Sequence, residues 1–79
     1  MHLLTSILVI DAEGVERRCW IKAGTSLVRS YIVGFTTEVH GADGTVRLAD
    51  TDWETPKTMD GAYDQFYDMI DAIESGEGQ

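Results

Sequence analysis

The chain is poor in the residues that most small-protein chemistry uses. Its 79 residues include one cysteine, one proline and two histidines, and a single base, Lys57, stands in the last thirty positions. Each scarcity excludes something. A lone thiol, Cys19, forbids an internal disulfide framework and fits a reducing cytoplasm. With only His2 and His40 as imidazoles, no zinc set of Cys and His at ligand spacing can form. Cys19 with His40 would be the sole thiol–imidazole pair, but Cys19 falls on an apolar strand face, where a buried, inert thiol is expected. The apolar start, Met1–Ile10, lacks a basic flank and is too short for a signal peptide or a membrane span. No phosphate-cradling glycine loop is present, and no repeat, linker or low-complexity stretch. The expectation is one domain, 1–79, that is not an enzyme and uses no cofactor or metal.

What is present is charge of one sign, unevenly placed. From Met1 to Ala49 five acids balance five bases; from Asp50 to Gln79 nine acids face Lys57, so this second part carries the whole net charge of −8. An acidic surface repels nucleic acid and anionic membranes and attracts cationic partners. Apolar residues make up 43% of the chain, which places it among globular rather than disordered sequences.

The first forty-nine residues are patterned for strands. Leu3–Ile10 is apolar and rich in β-branched residues, expected as a strand buried on both faces in its second half. Asp11–Gly14 is a turn. Val15–Lys22 alternates, with Val15, Arg17, Cys19 and Ile21 on one face and Glu16, Arg18, Trp20 and Lys22 on the other. Ser26–Val39 is expected as a third strand, bent at Gly34, with Leu27, Tyr31, Val33, Phe35 and Val39 sharing a face; a helical start at Ser26 competes, but the aromatic and β-branched content favours strand. His40–Gly44 is a turn carrying the Asp-Gly hairpin signal, and Thr45–Ala49 a short fourth strand. Residues 50–55 are expected as an acidic connector. Asp50-x-Asp52-x-Glu54 resembles the start of a calcium loop, but Thr55 and Gly61 occupy the positions that need glycine and glutamate.

A helix is expected over about 56–74, opened by Thr55-Pro56 or by Thr58 or Asp60 as cap, with 75–79 as a flexible tail. At 100° per residue Met59, Ala62, Tyr63, Phe66, Met69, Ile70 and Ile73 gather within roughly 120°. Asp60, Asp64, Asp68, Asp71 and Glu74 fall on the opposite arc, with Tyr67 at its border. The predicted fold is α+β: an antiparallel sheet of three to four strands with one C-terminal amphipathic helix packed on it.

The acidic arc is locally unfavourable. Aspartate is a weaker interior helix former than glutamate, and the i,i+4 pairs Asp60–Asp64 and Asp64–Asp68 repel. Asp60 to Asp71 spans about 16.5 Å of axis. Four carboxylates over that length approach the charge spacing of one DNA strand, roughly one per 3.4 Å. Such a stripe suits a Lys- or Arg-lined groove built for a phosphate backbone. Asp50, Asp52 and Glu54 would extend it, and Trp53 and Tyr67 are the aromatics beside it. The same pattern also suits a plain solvated face.

Small size, a single domain, strong acidity and the absence of a catalytic set resemble the small phage-encoded anti-CRISPR proteins, several of which imitate DNA by charge. The resemblance spans the chain and lies in size, charge layout and architecture. It implies a non-enzymatic inhibitor in the bacterial host cytoplasm that occludes the basic surface of a CRISPR effector subunit, such as a type I Cascade complex, or of another nucleic-acid-binding protein. The alternative is a structural or assembly protein of a phage or mobile element. It would self-associate through a sheet edge or a Trp20/Tyr31 surface, whereas the inhibitor would be a monomer or small homo-oligomer.

Overall fold

A computed structural model describes residues 2–24 and 30–76. Four strands, β1 (His2–Ile10), β2 (Glu16–Ala23), β3 (Tyr31–His40) and β4 (Val46–Glu54), form one antiparallel sheet in the order β1-β2-β3-β4, followed by α1 (Met59–Ser75). The α+β architecture is the expected one. The segment 25–29, where the third strand was expected to begin, and the tail 77–79 lie outside the described residues.

Period-2 alternation decides which side chains meet the helix. Val9, Cys19, Ile21, Val33 and Phe35 point to one side and pack against Ala62, Phe66, Met69 and Ile73. Tyr31, Trp53, Tyr63 and Ile70 seal the margins of this core. Burying each large side chain contributes roughly 1.5–3 kcal/mol, so this single apolar layer supplies most of the stabilisation. The sheet's other face has no covering layer among the described residues.

The β1–β2 and β3–β4 hairpins turn in the same way. The Gly14 N–H donates to the Asp11 carbonyl and the Asp11 N–H to the Val15 carbonyl; Gly44 and Gly41 repeat the pattern with Gly41 and Thr45. Gly14 and Gly44 have φ of 85° and 87°, the left-handed conformation that lets a tight turn match the strand twist.

Several expectations need correction. β1 is not buried on both faces: only Val9 is buried, while Ile7, Leu8 and Ile10 are about half exposed. β1 is an edge strand, so it has a neighbour on one side only. The acidic segment 50–54 is not a connector but the second half of β4. There Ala49, Thr51 and Trp53 alternate with Asp50 and Asp52, a strand pattern that the acids concealed. The helix starts at Met59, capped by Thr58, whose Oγ1 accepts from the Gly61 N–H at 3.0 Å. Met59 is exposed because, as first residue of α1, it precedes the turn that meets the sheet.

Gly34 is a point of close approach. The register with β4 shifts there, Val33 facing Glu54 and Gly34 facing Asp52, which leaves Trp53 as the extra residue. A Cβ at position 34 would stand 2.6 Å from the Trp20 ring and clash with the Thr51 carbonyl oxygen.

Candidate partner-binding surface

The outer side of α1 follows from helical geometry. Residues 60, 64, 67, 71 and 74 are spaced by alternating fours and threes, which keeps them on one face. Asp60, Asp64, Tyr67, Asp71 and Glu74 are all exposed there, with Asp68 beside them. Among the described residues no ion pair involves any of these five carboxylates. Tyr67 is not at the border of the stripe but within it. Tyr67 is 60% exposed, its ring tilted against Tyr63 at 6.4 Å and edge-on to Phe66 at 5.8 Å. These contacts hold an aromatic surface upright between carboxylates. The i,i+7 spacing of Tyr67 from Asp60 and Glu74 carried this signal in the sequence.

The other acids named from sequence do not join the stripe. Asp50 and Asp52 stand opposite Thr36 and Gly34 in the register, on the face turned away from the helix. Asp50 is already engaged: the Thr36 hydroxyl donates to it at 2.6 Å, and the Lys22 ammonium lies 3.8 Å away. Glu54 is exposed at the end of β4, and Trp53 packs at the core margin. The stripe is therefore one helix face, not a continuous patch from Asp50 to Glu74.

The Asp50 contacts belong to a cluster that sequence reasoning missed. Trp20 lies on the helix-free face yet is only 4% exposed. It lies over Gly34, its Nε1–H donates to Thr36 Oγ1 at 2.8 Å, and Lys22 sits 4.0 Å above its ring. Each group satisfies the next, so the cluster clamps an indole flat on the face of the sheet that no element covers among the described residues. Tyr31 faces the opposite way, into the core margin, so Trp20 and Tyr31 share no surface. Beyond Trp20 the face forms a shallow depression of about 780 Å³, lined in part by Leu8, Arg18, Thr36, Glu38 and Leu48.

On the helix side, Arg17 bridges to Asp11 at 3.0 Å and lies 5.1 Å over the Phe35 ring. Asp11 is buried. The Val15 N–H, then Arg17 and the Glu13 N–H, hold its carboxyl below the ordinary value against the opposing effect of burial. Burial pushes the Cys19 thiol up to about 11, which makes it unreactive, as expected for an apolar strand position. Among the described residues no group of three or more His, Cys, Asp or Glu side chains could hold a metal ion, and no helix is long and apolar enough to cross a membrane.

No protein-family model, curated protein or solved structure matches this chain.

Proposed function

We propose that the protein is a binding module whose α1 docks into a cationic, nucleic-acid-handling groove on another protein and blocks it. The observation that carries this reading is the set of five exposed carboxylates on α1, with Tyr67 among them and no ion pair to any of them within the described chain. A helix face kept only for solubility would gain from Glu–Lys pairs at i,i+4. This one forgoes them and keeps like charges adjacent, which favours a face complementary to an external cation array. Complementary charge would speed encounter and set specificity, while the Tyr67 ring would supply a desolvated anchor.

The resemblance to anti-CRISPR proteins makes a type I Cascade subunit in the bacterial cytoplasm the first partner to test. The docking chemistry is the same for any protein that grips a phosphate backbone. Asp50 and Asp52 fall outside the proposed interface because they lie on the opposite side of the sheet.

The test is the triple reversal Asp64→Lys, Asp68→Lys, Asp71→Lys, which moves the net charge from −8 to −2. The variant is expected to retain the wild-type circular dichroism spectrum and to lose capture of basic nucleic-acid-binding proteins from a bacterial lysate at low salt. The wild type should release the same partner as salt rises. Capture that survives the triple reversal, or that ignores salt, defeats the proposal.

A further inference from the structure

The two edges of the sheet are unequally protected. β4 bears Arg47, Asp50, Asp52 and Glu54, charges of the kind that keep an edge from pairing with another strand. β1 has no Asp, Glu, Lys or Arg. It is nine residues long, contains neither proline nor glycine, and exposes Ile7 on the helix side and Leu8 and Ile10 on the other, each by about half. In a molecule of net charge −8, β1 is, among the described elements, the one where a second copy could approach without setting formal charge against formal charge in the contact. Its occupant must be extended, uncharged and apolar on both faces, and β1 itself meets all three conditions.

We infer that two copies pair antiparallel through β1, forming a continuous eight-stranded sheet about a two-fold axis at Leu8. The geometry selects this register. The Asp11 N–H to Val15 carbonyl bond of 2.9 Å marks a hydrogen-bonded pair at the hairpin end. Alternation along an antiparallel ladder then turns the N–H and C=O of Ile10, Leu8 and Ser6 outward. A two-fold perpendicular to the sheet keeps like faces together, so facing residue numbers must sum to an even value. Centring on Leu8 pairs Leu8 with its copy and Ser6 with Ile10, which uses all three outward-facing residues. It also places Ile7 against Val9 on the helix side. Centring on Ile7 would pair Ile10 with Leu4, and Leu4 is the extra residue where the β1–β2 register shifts, a bulge that deforms the edge. In the Leu8-centred dimer both α1 helices lie on the same side of the joined sheet, so two acidic stripes face the same way.

This inference rests on β1 and does not depend on the function proposed for α1. It is tested on purified protein without partner, at low and high salt, by sedimentation equilibrium. The wild type is expected to approach twice 8.8 kDa as concentration rises, with little effect of salt. Leu8→Lys should sediment as a monomer with an unchanged circular dichroism spectrum, while Leu48→Lys, on the guarded edge, should remain a dimer. Under a mild oxidant Leu8→Cys should form a covalent dimer and Leu48→Cys should not, the second variant separating the paired edge from non-specific oxidation. A wild type that is monomeric throughout, a dimer that survives Leu8→Lys or is lost equally in Leu48→Lys, absence of the Leu8→Cys crosslink, or open-ended growth beyond two copies overturns it. The Asp64, Asp68, Asp71 reversal should leave the dimer intact, so failure of the helix proposal and failure of this one are distinguishable.

Discussion

Asp11 does three jobs with one carboxylate. It accepts from the Glu13 and Val15 N–H groups at 2.9 and 2.8 Å, closing the first turn, and it anchors Arg17 at 3.0 Å. Arg17 in turn lies over Phe35 and donates to Thr37 at 3.4 Å, so the turn is tied through a guanidinium to the centre of the sheet. Because the folded-state pKa of Asp11 lies below its unfolded value, its charged form stabilises the fold above the unfolded pKa of about 3.9. That contribution disappears as pH falls through the lower, folded-state value. Asp11→Asn is therefore expected to be less stable than the wild type at neutral pH. The gap should stay flat down to about pH 5 and close in strong acid, where both side chains are neutral. Urea unfolding of both proteins at neutral pH, and below the ordinary carboxylate range, checks this. A gap that persists in acid would mean that the carboxylate charge contributes nothing.

Between elements, the contact that matters most away from the core is Trp20 on Gly34. Gly34→Ala forces a methyl group toward the indole and the Thr51 carbonyl, neither of which can retreat without disturbing the Thr36–Asp50–Lys22 cluster. Overpacking of this kind costs about 1–3 kcal/mol. Thermal unfolding should register the loss, and the tryptophan fluorescence should shift toward that of a solvent-exposed indole. An unaltered melting temperature would show that the close approach is not maintained in solution. The sequence announced the bend at Gly34 but not its cause, because which ring would lie on that glycine depends on the β2–β3 register. Local alternation was enough for the facing of β2 and β3, and helical period for the core face of α1, since both are properties of consecutive residues. β4 was cut short because Asp50 and Asp52 lower strand propensity, yet on an uncovered sheet face carboxylates meet water and the strand continues. β1 appeared doubly buried because apolar content does not distinguish a central strand from an edge. Whether Asp50 belonged with Asp60 or apart from it depended on the same strand order, which no local pattern encodes.

For the whole molecule, the acidic helix poses a question of balance between stability and use. The pairs Asp60–Asp64, Asp64–Asp68, Asp68–Asp71 and Asp71–Glu74 are like-charged neighbours at i,i+4 or i,i+3, and each destabilises the helix by roughly 0.2–0.5 kcal/mol. Asp71 and Glu74 also lie toward the C-terminal end of α1, where the helix dipole disfavours anions and the last turn holds no base. Replacing Asp64, Asp68 and Asp71 together by Asn removes at least one charge from every such pair, keeps side-chain shape, and leaves intrinsic helix propensity almost unchanged. The triple variant is accordingly expected to be more stable than the wild type by on the order of 1 kcal/mol at low ionic strength. The gain should shrink as salt screens the wild-type repulsion. If α1 docks as proposed, the same variant loses its cationic partner while becoming the better-folded protein. Denaturant melts at two salt concentrations, set beside the lysate capture, read both quantities on one sample. A variant that gains no stability at low salt would show that the stripe carries no intrinsic penalty. The case that it is retained for binding rather than for solubility would then fall.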